Sequence, residues 1–433
     1  MIIPSYCDLV QRDQNIPGLK ILFDLETLKD ILTRYANLSL RKVSITNIRY
    51  TPNQRCLVNY TIYTKNSKLN VYAKAHKKDN SQNSKISIYH TDANKIQIPS
   101  EMVSFSFFPY DKRLKVLKQI SKYRQKKELI SRTLPDRSDL WEGSFDNLVY
   151  LPEKRLITKL VTNTGSKAVM KFCTQDYEHI KNMSKIFSNI NFNLQKEIGH
   201  CDELKTIAFE WFDGEILTNI LINRDTKLAS KALFETGISL AHFHKLSIQE
   251  LCNSELISYS VRRIQESSLR ELSKNISLLY PEISERVYAL TNLFSKKLEF
   301  NGSLKRVIHG DFSPKNVLLS NNHKIVFLDV TECMISNPIF DLSKFISYLY
   351  YLFLTDKLIM KNLSRFINSF LDGYRNVIDT DITNSLETYV MAELFTLLRN
   401  PFKLGELDWK VFTERILNTV ESGMAGVQNN KHN

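Results

Sequence analysis

The sequence predicts an α+β fold, with antiparallel hairpins in its first half and helices in its second. Alternating apolar residues flank turn signals in two places before residue 173. Beyond that point apolar residues recur at helical spacing over several long stretches. One short strand–loop–strand unit, 307–330, interrupts the helices. The 433 residues, 43% hydrophobic and 24% charged, hold enough apolar material for a sizeable core and favour more than one domain.

The elements follow in order. Leu25–Tyr35 has a helical period, within a mixed start to the chain. Val58–Tyr63 and Leu69–Ala73 alternate around the turn-prone Lys65–Lys68. Lys77–Ala93 is polar and reads as loop. Lys112–Arg132 carries a dense run of lysine and arginine, with Leu114, Leu117, Ile120 and Tyr123 recurring at helical spacing, and predicts a basic amphipathic helix. Pro135–Asp139 reads as a linker.

A second strand group follows: Asn147–Tyr150, Arg155–Thr162 and Ala168–Phe172, with the turn Asn163–Ser166. Tyr50-Thr-Pro-Asn-Gln-Arg55 and Tyr150-Leu-Pro-Glu-Lys-Arg155 share a Y-x-P-x-x-R pattern, and each leads into a hairpin returning to a lysine, Lys74 or Lys171. This reads as an internal duplication of a small antiparallel sheet. Thr206–Phe212 is a further strand. The helices predicted after it are Lys227–Leu246, Glu282–Phe300, Asp341–Leu354 and Thr383–Leu398, preceded by Asp176–Ser188.

The unit at 307–330 carries the chemistry. His309, Asp311 and Asn316 stand in H-x-D-x-x-x-x-N spacing, and Asp329 ends the apolar run Ile325–Leu328. A carboxylate at Asp311 suits a base that accepts the proton of a hydroxyl attacking the γ-phosphate of ATP. Asn316 and Asp329 offer the hard oxygen ligands that Mg²⁺ prefers. His309 reads as a buttress of the loop. Lys171, ending an apolar strand, is placed to meet the nucleotide phosphates. Glu178 is the acid expected to hold it, with Asp176 as runner-up. Glu210, Trp211 and Phe212, where a strand runs into the Gly214 linker, can offer backbone groups to an adenine edge.

Taken together, Lys171, Glu178, the 210–212 segment, Leu240-Ala-His-Phe-His-Lys-Leu246, His309-Gly-Asp311, Asn316, Asp329 and Asn337-Pro-Ile-Phe-Asp-Leu342 resemble the aminoglycoside phosphotransferase and choline kinase group. The resemblance covers about 145–400. It implies a two-lobed protein-kinase-like fold, with a small antiparallel-sheet N-lobe, a mainly helical C-lobe and an extra N-terminal α+β region. The implied divisions are 1–140, 141–212 and 213–433. It also implies that Asp311 is the catalytic base, that Asn316 and Asp329 bind magnesium, and that Asp341 steadies the catalytic loop. Two departures stand out. No G-x-G-x-x-G occurs, and Ser336-Asn337-Pro338 replaces the group's usual Gly-Asp-Pro.

Only Val330–Phe340 separates Asp329 from Asp341, which leaves no room for the activation segment of a protein kinase. The expected acceptor is therefore a small-molecule hydroxyl: a sugar, an amino alcohol or an aminoglycoside-like compound. The alternative is a catalytically silent kinase-like module that binds nucleotide or regulates. The net charge of +13 suits solubility or an anionic partner, and the 112–132 stretch is the place for a weak membrane-surface or anionic contact. No motif for specific nucleic-acid binding is present. Six scattered cysteines without a CxxC pair, and no signal-peptide pattern, fit reduced thiols and a cytoplasmic setting.

Overall fold

Two hairpin-forming stretches build two antiparallel sheets. The computed structural model describes residues 2–36, 38–65, 67–78, 89–92, 95–247, 266–298, 304–378 and 383–429. The first sheet contains β1 (Leu40–Thr51), β2 (Arg55–Thr64), β3 (Lys68–His76), β4 (Tyr89–Asp92), β5 (Lys95–Ile98) and β6 (Val103–Phe107), in the order β1-β2-β3-β6-β5-β4. The second contains β7 (Ser144–Leu151), β8 (Arg155–Val161), β9 (Lys167–Cys173), β10 (Glu197–Cys201) and β11 (Thr206–Glu210), in the order β7-β8-β9-β11-β10. The first five strands of each sheet therefore follow one path. The second sheet carries the helix Tyr177–Phe187 between its third and fourth strands.

The likeness extends to side chains. Tyr50 Oη donates to Asp13 Oδ2 at 2.7 Å, and the Asn53 amide donates to the same oxygen at 2.9 Å. One sheet later, Tyr150 Oη donates to Asp111 Oδ2 at 2.8 Å, and the Glu153 amide donates there at 2.7 Å. Asn53 and Glu153 both adopt φ of 60°, in the left-handed region. Lys74 sits opposite Leu57, and Lys171 opposite Ile157, so each lysine holds the same register in its hairpin.

Four packed clusters hold the described residues together. The largest unites the helices of the second half with the strands of the 307–330 unit. A second joins the first sheet to the N-terminal helices, and Phe402 and Trp409 from the C-terminal helices complete it. The other two lie on the faces of the second sheet. Leu114, Leu117, Leu129 and Ile130 are fully buried in one of these, each stabilising by about 1.5–3 kcal/mol.

The basic stretch differs from the single helix expected. Lys115–Ser121 is a 3₁₀ helix, Lys122 is extended, and the α-helix runs only over Tyr123–Thr133. The apolar spacing explains this. Leu114, Leu117 and Ile120 recur every three residues, which matches the three-residue turn of a 3₁₀ helix and puts Leu114 and Leu117 against the second sheet. Tyr123, the fourth member, is 60% exposed. Most of Lys77–Ala93 lies outside the described residues, but its end, Tyr89–Asp92, is a strand rather than loop. The expected linker at Pro135–Asp139 is pinned between buried Leu134 and Leu140.

In the second half, helices run over Thr226–His244, Glu266–Leu279, Ser284–Lys297, Ile339–Leu354, Met360–Arg375, Thr383–Thr396, Asn400–Lys403 and Trp409–Asn429. Among the described residues no helix is long and apolar enough to cross a membrane. Cys7, Cys56, Cys173, Cys201 and Cys333 are free thiols.

Candidate active site

The predicted strand–loop–strand unit is present. It comprises β13 (Arg306–Ile308), β14 (Val317–Ser320) and β15 (Ile325–Phe327); β14 and β15 form a sheet with β12 (Gly214–Ile216), and β13 pairs with β16 (Met334–Ser336). Between β13 and β14 the backbone turns at Gly310, whose φ is +74°. A Cβ there would lie 2.0 Å from the Glu332 carbonyl oxygen, so glycine is required by both conformation and space.

A buried carboxylate fixes this turn. Asp341 Oδ2 accepts from the His309 amide at 2.7 Å, and Oδ1 accepts from the Gly310 amide at 2.9 Å. His244 Nε2 lies 3.0 Å from Asp341 Oδ2, and its Nδ1 lies 2.8 Å from Tyr374 Oη. An ionised Asp341 can only accept, so His244 carries its proton on Nε2. His309 Nε2 meets the Leu328 carbonyl at 2.9 Å, and the Leu328 amide donates to the Asn316 carbonyl at 2.9 Å. The loop is thereby tied to the residue just before Asp329.

Asp311 is held among donors. Asn316 Nδ2 donates to its backbone carbonyl at 2.8 Å and lies 3.3 Å from its Oδ2. Lys315 Nζ is 3.3 Å from Oδ2, and Lys344 Nζ is 3.5 Å from Oδ1. Lys344 also reaches the buried Glu393 at 3.8 Å. With Nδ2 of Asn316 engaged, the amide oxygen is the end that a metal would use.

Lys171 is buried, and its Nζ lies 3.2 Å from Asp329 Oδ1 and 4.7 Å from the centre of the Phe209 ring. Asp329 adopts φ of 59° and ψ of 63°, a left-handed conformation that costs a non-glycine residue energy. Thr331 Oγ1 donates to its Oδ1 at 2.9 Å. Burial pushes the Asp329 carboxyl up, but Lys171, Thr331 and Arg155 outweigh that and hold it near a pKa of about 2. An ionised carboxylate and an amide oxygen are hard donors that fit Mg²⁺, with phosphates and water left to complete its shell. Among the described residues no group of three His, Cys, Asp or Glu could cage a metal without such help.

The structure brings together Lys171 and Asp329, and separately Asp311 and Asn316, with Leu328 joining the two groups. It does not pair Glu178 with Lys171. Glu178 is exposed and meets Lys181 at 3.2 Å. The reason is helical phase. The next residue, His179, faces inward and contacts the Thr331 carbonyl at 2.7 Å, which turns Glu178 about 100° away. Asp176, the runner-up, lies 3.8 Å from Lys154.

Of the predicted 210–212 segment, Glu210 closes β11, and its backbone is committed. Its amide donates to the Lys196 carbonyl, and its carbonyl accepts from Gln195 Nε2 at 3.0 Å. Trp211 and Phe212 lie past the ladder, before β12. Lys159 stands over the Trp211 ring at 4.6 Å.

Several residues of the site escaped the sequence reading: Lys315, Lys344, Thr331, Arg155, Gln195 and His244. Lys344 had a signal, as one of two charged residues, with Asp341, in the apolar helix Ile339–Leu354. Lys315 lies four residues after Asp311. Gln195 had none, because its partner is a backbone atom fifteen residues away.

The model of the phosphotransferase enzyme family, APH, matches residues 192–379. The match covers less than half of the chain, and over that segment the chain is similar to this family. The matched segment holds Asp311, Asn316, Asp329 and Asp341, whereas Lys171 and Glu178 precede it. No curated protein matches the chain. Among solved structures, the chain is similar to the choline kinase from Cryptosporidium parvum, at 14% identity and a TM-score of 0.48, over 70% of this chain and 96% of that one. It is also similar to the ethanolamine kinase of Plasmodium vivax, at 15% identity and a TM-score of 0.46, over 72% and 93% of the two chains. A GDP complex of an aminoglycoside 2'-phosphotransferase shows 14% identity and a TM-score of 0.44, over 70% and 99%.

Proposed function

We propose that this chain transfers the γ-phosphate of ATP to a hydroxyl of a small molecule: a sugar, an amino alcohol or an aminoglycoside-like compound. The observation that carries the reading is the Asp311–Asn316 contact, joined through Leu328 to the Asp329–Lys171 pair. The acceptor oxygen attacks the γ-phosphorus, the bond to the β-phosphate oxygen breaks, and the hydroxyl proton passes to the Asp311 carboxylate. Asn316 and Asp329 would hold Mg²⁺, which neutralises charge developing on the phosphates. Lys171 would exchange part of its contact with Asp329 for the nucleotide phosphates. Lys344 and Lys315 hold the Asp311 carboxylate in place.

A phosphate-transfer screen with Mg²⁺-ATP over sugars, amino alcohols and aminoglycosides tests this. One class should turn over, and Asp311→Asn should lower its rate by about 10²- to 10⁴-fold while ATP still raises Tm. If ATP raises Tm but no acceptor class is turned over, the chain is instead a silent nucleotide-binding module. If Asp311→Asn keeps full turnover, Asp311 is not the base.

A further inference from the structure

A cavity of about 390 Å³ lies where three parts of the molecule meet: the β1–β2 end of the first sheet, the β7–β8 turn, and the C-terminal segment around Asn400–Lys403. Its wall carries six cations besides Lys74: Arg49, Arg55, Arg113, Lys154, Arg399 and Lys403. Among the described residues its one acid is Glu153. That carboxylate is already spent, since Lys74 Nζ lies 3.1 Å from one of its oxygens and 2.8 Å from the other.

The two inner arginines meet carbonyls in this wall. Arg49 Nη2 donates to the Pro152 carbonyl, and Arg399 Nη2 donates to the Tyr50 carbonyl at 3.4 Å. The Nε groups of both arginines are buried with no hydrogen-bond partner among the described residues. Burial pulls the pKa of both guanidiniums down, in Arg399 despite the nearby Glu271. Burial also pulls Lys403 down, and so does its proximity to Arg399, Lys344 and Lys154. Lys154 has a partial counter-charge in Asp176 at 3.8 Å. A protein that gathers cations around one hollow without matching carboxylates carries self-repulsion there, and a bound anion would relieve it.

We propose that this cavity binds a small phosphate-bearing anion. Forked guanidiniums suit the oxygens of a phosphate, and the arginines and lysines of this wall turn several N–H donors toward one hollow. The volume suits a molecule the size of a sugar phosphate. Lys171, Asn316 and Asp329 do not line it, so it is separate from the residues that would hold nucleotide and metal. The N-terminal sheet thereby gains a role, because Arg49 and Arg55 complete a site whose other walls belong to the β7–β8 turn and the C-terminal helices. The binding claim stands whether or not the chain transfers phosphate.

Calorimetry on the full chain, saturated with Mg²⁺-ADP to fill any nucleotide site, tests it with inorganic phosphate, glucose 6-phosphate and glucose as the uncharged control. Both anions should bind, glucose should not, and affinity should fall steeply with added salt. Arg399→Gln should weaken binding at least tenfold. The pair Arg55→Gln/Lys403→Gln should weaken it too, and serves if Arg399→Gln fails to fold. Anions that give no heat, or binding unchanged in a folded variant, would overturn the proposal. An assay with Mg²⁺-ATP then separates the two sources of the ligand. A second phosphate added to glucose 6-phosphate marks an acceptor; binding without transfer marks an effector.

Discussion

The two sheets share a strand path, a tyrosine-to-aspartate bond, a left-handed turn residue and a lysine register, yet their lysines face different partners. Lys171 meets Asp329 of the 307–330 unit, whose Leu328 is tied to Asn316. Lys74 meets Glu153, which belongs to the turn of the other sheet. The scaffold that presents a lysine is thus common to both, and what lies opposite decides the chemistry. Opposite Lys171 stand a second metal-type oxygen and a candidate base. Opposite Lys74 stands a single carboxylate that neutralises it. The Lys74–Glu153 pair is also the more deeply buried, with both side chains under 10% exposed, whereas the Asp329 side chain is 24% exposed.

Burial and chemistry should therefore separate on mutation. Lys74→Ala leaves Glu153 charged and unpaired in the interior and should cost about 3–5 kcal/mol of stability, with turnover per folded molecule nearly kept. Lys171→Ala leaves Asp329 with Thr331 and Arg155, so its stability cost should be smaller, while turnover should fall by about 10²-fold or more. Urea unfolding and steady-state rates on the two variants decide this. If Lys74→Ala loses turnover while stably folded, the first sheet takes part in catalysis.

The sequence displayed the parts of this comparison that local pattern controls. Alternation and turn residues revealed both hairpins, and Y-x-P-x-x-R aligned them through Tyr50 and Tyr150. Motif spacing likewise marked Asp311, Asn316 and Asp329, whose loop closes within a few residues. Long-range partners left no trace. Asp13 and Asp111 accept the two tyrosines from 37 and 39 residues away, without a pattern that announces them. The sequence suggests an acid for Lys171 on the following helix, but one residue of helical phase turns Glu178 to the outside. The 3₁₀ break at Lys122 was hidden because spacings of three suit either helix over so short a stretch.

Acid titration sharpens the comparison at the Lys171 end. The Asp329 carboxyl is held near about 2, against an ordinary 3.8. A depressed carboxyl contributes stability that is present above its unfolded pKa and is lost as pH falls through the folded value. The contribution should fade between about pH 4 and pH 2, and is on the order of 1–2 kcal/mol for a side chain partly open to solvent. Lys171→Ala removes the main cause of the depression. The Tm difference between wild type and variant should shrink as pH drops across that window. A constant difference would mean that the ion pair does not set this titration.

The smallest effect concerns the bond the two sheets share most closely. Tyr50→Phe and Tyr150→Phe each delete one hydroxyl donor to a buried aspartate, and in each case a backbone amide still reaches the same oxygen. The stability cost should be similar, about 1 kcal/mol. The consequences for turnover should differ. The turn steadied by Tyr150 runs into Arg155, one of the groups that depress Asp329, and it carries Glu153 and Lys154 on the wall of the basic cavity. The turn steadied by Tyr50 lies on the same wall through Thr51 and Arg55, but it runs into none of the groups that depress Asp329. Loosening the first should raise KM for ATP by a few-fold, and loosening the second should leave it unchanged at matched fraction folded. Equal KM values in the two variants would show that the β7–β8 turn does not act on the nucleotide and that the two hairpins differ only in what their lysines face.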